Sequence, residues 1–350
     1  MVTTTMDNLV SSYKEELISD SISIGIDNGN GRIKSKSSKG VEVRIKSLIH
    51  YLDDEQEITD GGQESVFVEY VVGPRTDLCG KRFVVGQQAY QFDPVGVLST
   101  SDDREGKSKF ALELTLAAIA ASITMDYTDV GIVSSVHDLA VLNDLKSKVN
   151  GEHTVKLNNQ IRKVNLDLKA VKTEGVGAYA SLLQTKKCSK ESQTVLLDLG
   201  YGTVIVSVYS NGAFKQILRF PDLGVKSLYQ RIANNLDLRK QLKRNGDMQL
   251  IQKAVECGDF VYGNNKISEF SIAEIYNQEL RIWVKNSLVK VLGKIDSYLD
   301  GAEFLFAIGG GAKLPKISPW LEKKGFETIE DSEFINARGL LAIAQREAKK

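Results

Sequence analysis

Apolar and polar residues alternate through residues 21–26 (SISIGI), and the alternation stops at DNGNG, a run of strong turn formers. The pattern predicts a strand, a turn and a second strand opening near Arg32. Residues 40–100 read as more strands and loops. VFVEYVVG and KRFVVGQQAY are the clearest strand pieces, with the acidic DDEQE and a glycine pair as turns ahead of them, so this stretch reads as a small, mostly β insertion. KFALELTLAAIAASI carries apolar residues on nearly every face and predicts a buried helix. DVGIVSSV follows as a central strand and DLAVLNDLKSKV as a helix. Residues 153–171 alternate as a hairpin turning at Asn158 and Asn159, and TEGVGAYASLL reads as a turn running into a helix.

A second copy of the opening pattern comes next: TVLLDLGYGTVIVSVYSNGAF reads as a strand, a glycine turn, a second strand and a hairpin at Asn211 and Gly212. Residues 215–300 then show spacing near 3.6 in VKSLYQRIANNL, in QLIQKAVECG and in one long run, SIAEIYNQELRIWVKNSLVKVLGKIDSYL. The chain closes with FLFAIGGGAKL, WLEKKGF and a helix over EFINARGLLAIAQREAK. Strands alternating with helices, opened twice by the same strand-turn-strand pattern, predict an α/β protein of two related halves that meet near Lys190.

Composition narrows the partners. The 350 residues are 42% hydrophobic and 26% charged, which excludes a disordered chain and leaves enough apolar surface for two cores. Lys plus Arg equals Asp plus Glu at 45 each, so no global field attracts nucleic acid or an anionic membrane, and neither is expected as a direct partner. Cys79, Cys188 and Cys257 are odd in number and widely spaced, which suggests neither a disulfide framework nor a zinc site and agrees with a reducing cytoplasm. The longest apolar-rich run, residues 110–125, is broken by Glu113 and reads as a buried helix rather than a membrane span. Residues 1–20 lack a basic start followed by an apolar stretch and read as a tail with one helical turn or two.

Three glycine clusters carry the candidate chemistry. In the first, Asp27, Asn28, Gly29, Asn30, Gly31 and Lys34, the glycines let backbone N–H groups approach phosphate oxygens and Lys34 adds a point charge. Asp27, at the strand end, is placed to hold Mg²⁺ through water; the same residues also make an ordinary hairpin turn. Asp198, Gly200, Tyr201, Gly202 and Thr203 repeat the design in the second half, and recurrence at equivalent places favours a shared role. The third cluster, Gly309, Gly310, Gly311 and Ala312, follows an apolar strand and permits close approach to a flat ring or a phosphate. Glu174, between the hairpin and the next helix, is placed either to orient an attacking water or simply to favour a helix N-terminus. No GxxxxGK[ST], GxGxxG or GxSxG pattern occurs, and His50, His137 and His153 show no ligand spacing.

The order IGIDNGNGRIK, TEGVGAYASLL, VLLDLGYGTVIV, LFAIGGGAKL, FINARGLLAIA resembles the five motifs of the actin and sugar-kinase superfamily, from the first phosphate loop to the second connecting helix. Its D-x-G-N-G-x-x-K loop, TEGVGA segment and NARGL ending look like the ParM-type actins. The resemblance spans residues 21–346 and implies two RNase H-like domains flanking a nucleotide cleft: residues 21–190 with an insertion over about 40–100, residues 191–330, and residues 331–350 as a helix returning to the first domain. It further implies that Asp27 and Asp198 organise Mg²⁺, and that Gly29, Asn30, Gly31 and Lys34 face the phosphates from one side with Gly200, Tyr201, Gly202 and Thr203 opposite. Glu174 would position the hydrolytic water, Gly309, Gly310, Gly311 and Ala312 would line the adenine and ribose pocket, and Lys253 is a candidate on its other wall. The first loop lacks the Ser or Thr of many actin relatives, so its phosphate contacts rest on backbone and Asn30.

The implied activity is ATP binding and hydrolysis coupled to a homopolymeric filament that segregates plasmid DNA through a DNA-binding adaptor. Two alternatives stand beside it: a small-molecule kinase on the same fold, which needs a further acidic base, and a non-polymerising scaffold switched by nucleotide.

Overall fold

The computed structural model describes residues 19–53, 55–56, 64–101, 106–263 and 269–349. Most of the expected N-terminal tail and of the DDEQE and glycine-pair turns lies outside the described residues; residues 19 and 20 already belong to the first strand.

Strands β1 (Ser19–Asn28), β2 (Arg32–Ser37) and β3 (Glu42–Lys46) make an antiparallel meander, and β2 buries every second residue because its period of two faces one core. Next come β4 (Leu48–Tyr51), β5 (Ser65–Val72), β6 (Arg82–Gly86), helix α1 (Gln87–Phe92) and β7 (Leu98–Ser99). Helices α2 (Gly106–Lys109) and α3 (Ala111–Ile119) lead to β8 (Tyr127–Val136), α4 (Leu142–Val149), β9 (Gly151–Leu157), β10 (Gln160–Thr173) and α5 (Val176–Gln184). Among the described residues these strands form one ten-stranded sheet in the order β3-β2-β1-β8-β10-β9-β5-β6-β4-β7, with β8 parallel to β1 and β10. The β-rich stretch of residues 40–100 therefore extends the main sheet, through the pairing of β5 with β9. The hairpin between β9 and β10 turns where expected, with Asn158 and Asn159 at φ 43° and 68°, a conformation asparagine tolerates.

The second half contains β11 (Thr194–Leu199), β12 (Thr203–Ser210), β13 (Ala213–Pro221), α6 (Val225–Ala233), α7 (Leu236–Leu242), α8 (Met248–Cys257), β14 (Val261–Tyr262), β15 (Phe270–Ser271), α9 (Ala273–Asn286) and α10 (Leu288–Leu299). It ends with β16 (Phe304–Ile308), α11 (Ile317–Glu322), β17 (Glu327–Thr328) and α12 (Ile335–Glu347). Its five-stranded sheet runs β13-β12-β11-β16-β17.

Two sequence expectations are corrected. KRFVVGQQAY is a strand followed by a helix, because Gly86 (φ +117°) turns the chain and Ala89 then packs with Leu48 and Val84 on the far side of the sheet. The long run after residue 270 is two helices. At Ser287 (φ −113°, ψ −74°) the axis breaks, which lets Trp283 before it and Leu288 and Val291 after it all enter one core.

Each sheet has its own hydrophobic core, and α5 and α12 lie between the two sheets. Ala178, Tyr179 and Leu182 of α5 pack on Leu196, Tyr209 and Phe306 of the second sheet, whereas Leu340 and Ala344 of α12 pack on Val133 of the first. The two helices cross at glycines: a Cβ on Gly339 would fall 1.8 Å from the Gly177 carbonyl oxygen. This layer sets the two sheets so that the carboxyl ends of β1, β10, β11 and β16 face a shared cleft, the place where open α/β sheets bind ligands.

Candidate active site

The first two glycine turns meet across the cleft. Gly31 lies against the Tyr201 side chain, and the Asn30 amide nitrogen lies 3.4 Å from where a Gly202 Cβ would stand. Behind the first turn, Ser47 Oγ donates to the Gly29 carbonyl (2.7 Å), Thr100 Oγ1 to that of Asn30 (3.0 Å) and the Ser47 N–H to that of Gly31 (3.2 Å). In a trans peptide the C=O and N–H point in opposite directions, so tying these carbonyls back turns the N–H groups of Asn30 and Gly31 into the cleft. The result is a pair of donors suited to an anion. Lys34, Thr203 and the backbone of Gly200 and Gly202 complete this end.

The acids occupy defined places. Asp27, next to the end of β1, accepts from Ser135 Oγ at 2.9 Å and has Lys34 Nζ 3.7 Å from its other oxygen. Asp198 stands opposite on β11, above Gly309, whose φ of +84° and lack of a side chain are both required: a Cβ there would sit 2.4 Å from Asp198 Oδ1. Burial, and then the negative charge of Asp27, push the Asp198 carboxyl up to about 7, with Lys34 only partly opposing. Two carboxylates short of positive charge suit a hydrated divalent cation.

This shift has a measurable consequence. An acid whose folded pKa is raised contributes stability that is present in acid and lost as the pH rises towards 7. In metal-free buffer Asp198→Asn is therefore expected to melt above the parent at pH 8, with the gap closing as pH falls from 7 towards 4. A gap in thermal melts that does not change with pH would contradict this electrostatic account.

Glu174 lines the same end of the cleft. Its Oε1 accepts from Lys107 Nζ at 3.0 Å, and Arg219 Nε stands 3.8 Å from Oε2. Burial alone would raise its pKa, but Lys107, then Arg219 and His137, outweigh burial and hold it below the usual carboxylate range. So weak a base orients a water better than it deprotonates one.

Gly309, Gly310 and Gly311 line the cleft from one wall and Gln252 and Glu256 of α8 from another. Two expectations shift here. Ala312, expected to line the pocket, is fully buried in the second core behind the glycines, because residues 310–313 form a 3₁₀ turn that carries its methyl inward. Lys253 is exposed on the outer face of α8; Gln252 and Glu256, one residue before and three after, face the cleft. Arg32 crosses to Glu256 in a bidentate pair (3.0 and 2.6 Å), and Lys46 donates to Gln249 at 2.5 Å, so α8 is stitched to the first sheet over the cleft.

Sequence reasoning also missed Ser47, Thr100, Lys107, Arg219 and Asn336. Asn336 accepts from the Ala178 N–H at 2.9 Å and bonds Asp198, linking both crossing helices to the site. All five act through tertiary contacts and sit outside any glycine motif; only the NARGL ending, which contains Asn336, offered a signal.

Comparisons with known proteins agree with this fold. Residues 25–177 match the family model described as the N-terminal domain of actin-like proteins. No curated protein sequence matches the chain. Among solved structures, an archaeal actin homologue, Ta0583, superposes with a TM-score of 0.73 at 18% identity, covering 93% of this chain and 99% of that one. ParM of Clostridium botulinum, solved as a 15-stranded filament, gives 0.69 at 18% identity, covering 93% of this chain and 99% of that one. Bacillus thuringiensis ParM with ATP gives 0.65 at 17% identity, covering 95% and 100%. The protein has the actin-like ATPase fold. The chain shares its architecture with ParM and archaeal actin homologues along nearly its whole length.

Proposed function

We propose that this protein binds and hydrolyses ATP and assembles into nucleotide-dependent filaments, which serve to segregate plasmid or other DNA through a DNA-binding adaptor. The observation that carries the reading is the arrangement of the cleft. Two Asp-glycine turns face each other across it, a glycine floor lies at one end, and a carboxylate clamped by cations closes the other. In support, the Bacillus thuringiensis relative is described with ATP and the Clostridium botulinum relative as a filament.

On this reading the N–H groups of Asn30 and Gly31 and the Lys34 ammonium hold the phosphates from one half, and Gly200, Gly202 and Thr203 from the other. Tyr201 packs behind the first turn and sets the distance between them. Asp27 and Asp198 would hold Mg²⁺ through water, and the ion would supply charge neutralisation on the phosphates. Gly309, Gly310 and Gly311 lie beneath the base. Glu174 orients the attacking water, so the contribution of the protein is mainly position.

The test is light scattering and electron microscopy of the purified protein with ATP, with ADP and without nucleotide. Polymer that forms with ATP and decays as phosphate is released is the expected result. Its absence at several micromolar across a range of salts, or ATP turnover that requires an added sugar, would remove the filament reading.

A further inference from the structure

Glu174 is approached by two cations from opposite halves of the molecule. Lys107, on α2 beside the first sheet, already donates to Oε1 at 3.0 Å. Arg219, on β13 of the second sheet, stands 3.8 Å from Oε2, beyond hydrogen-bond reach. The Arg219 Nε is buried without a hydrogen-bond partner among the described residues, while its Nη2 is anchored on the His137 carbonyl at 2.8 Å. A buried guanidinium N–H left unmade is costly, and a charge-assisted bond to carboxylate settles at about 2.8 Å. A shift of the Arg219 side chain by about one ångström, pivoting on its bond to His137, therefore satisfies the Nε and secures the second oxygen of Glu174.

We propose that Lys107 and Arg219 are positioning residues for Glu174, one gripping each carboxylate oxygen from a different sheet. This rests on the reading of the cleft as an ATPase site. With one partner the carboxylate pivots about the Lys107 bond; with two, from different sheets, its plane is fixed. An orienting group must be held to within roughly half an ångström and 10–20° to act, so the second contact decides the rate. The clamp also makes Glu174 report on the relative placement of the sheets, which a residue held from one half alone cannot do.

Steady-state ATP turnover by the full chain tests this, with Lys107→Met, which keeps the aliphatic stem, Lys107→Arg, Arg219→Ala and Arg219→Lys. The expected result is a kcat lowered roughly tenfold or more in the Met and Ala variants with KM within about twofold, and substantial recovery in the conservative Arg and Lys variants. Thermal melts alongside identify any variant that has lost its fold, and the conservative partner then decides the matter. An unchanged kcat, a raised KM with kcat intact, or a loss that the conservative variants share in full overturns the inference. A parent protein that neither binds nor turns over ATP overturns the ATPase reading and this inference together, whereas turnover indifferent to both residues overturns this inference alone.

Discussion

Glu174→Gln is expected, on the proposed ATPase reading, to lower ATP turnover by about a hundredfold or more while leaving ATP binding and assembly in place. The substitution keeps the shape of the side chain and removes the charge that Lys107 and Arg219 hold below the usual carboxylate range. An amide presents one acceptor where the carboxylate presents two, so it cannot take the Lys107 bond, accept from Arg219 and still direct a water. The two cations remain, and with no carboxylate between them they are drawn towards phosphate, which preserves or tightens binding. Polymer formed with ATP should accordingly persist in the variant, visible as sustained scattering with little phosphate released. Turnover within about threefold of the parent would show that another group orients the water.

The second large effect is on folding. Gly339→Val places a Cβ 1.8 Å from the Gly177 carbonyl oxygen and 3.0 Å from the Ser181 nitrogen, and both are backbone atoms that cannot rotate aside. The helices α5 and α12 would have to separate, uncovering Ala178 and Leu340, both fully buried in the layer between the sheets. Overpacking of this kind costs about 3 kcal/mol or more, equivalent to a melting temperature lower by roughly 6–12 °C, with reduced soluble yield. Gly293→Ala is the matching control: nothing lies within 4 Å of its Cβ on the exposed side of α10, and it should be neutral or gain up to about 1 kcal/mol from helix propensity. If both variants melt with the parent, the crossing is not held by contact at these glycines.

How much of this was legible beforehand varied with the range of the interaction. The two turns were readable because a strand that ends in Asp and glycine has a local cause, and its recurrence at residues 27–31 and 198–202 could be seen without a structure. Hairpins at Asn158 and Asn211 were readable for the same reason, since both residues adopt the left-handed conformation that asparagine tolerates. The break at Ser287 was not readable. Spacing near 3.6 continues through it, and only the need to bring Trp283 and Leu288 into one core interrupts the helix. Lys253 lies away from the cleft that Gln252 and Glu256 face; charge alone does not say which face of a helix meets a cleft.

By itself the sequence determined the α/β alternation, the doubling of the glycine turns, the identity of Asp27 and Asp198 as strand-end acids and the place of Glu174 in the motif order. These are properties of backbone propensity and of residues within a few positions of one another. Only the tertiary structure decided that Ser47 and Thr100 hold back the carbonyls of the first loop, that Ala312 faces a core, and that Asp198 is pushed up to about 7 while Glu174 is held low. The reason is that burial and charge proximity depend on which distant segments share a space. Lys107 and Arg219 lie 67 and 45 positions from Glu174, and no local pattern brings the three together. The paired turns announced a cleft, and the packing of α5 and α12 between two sheets placed the charges within it.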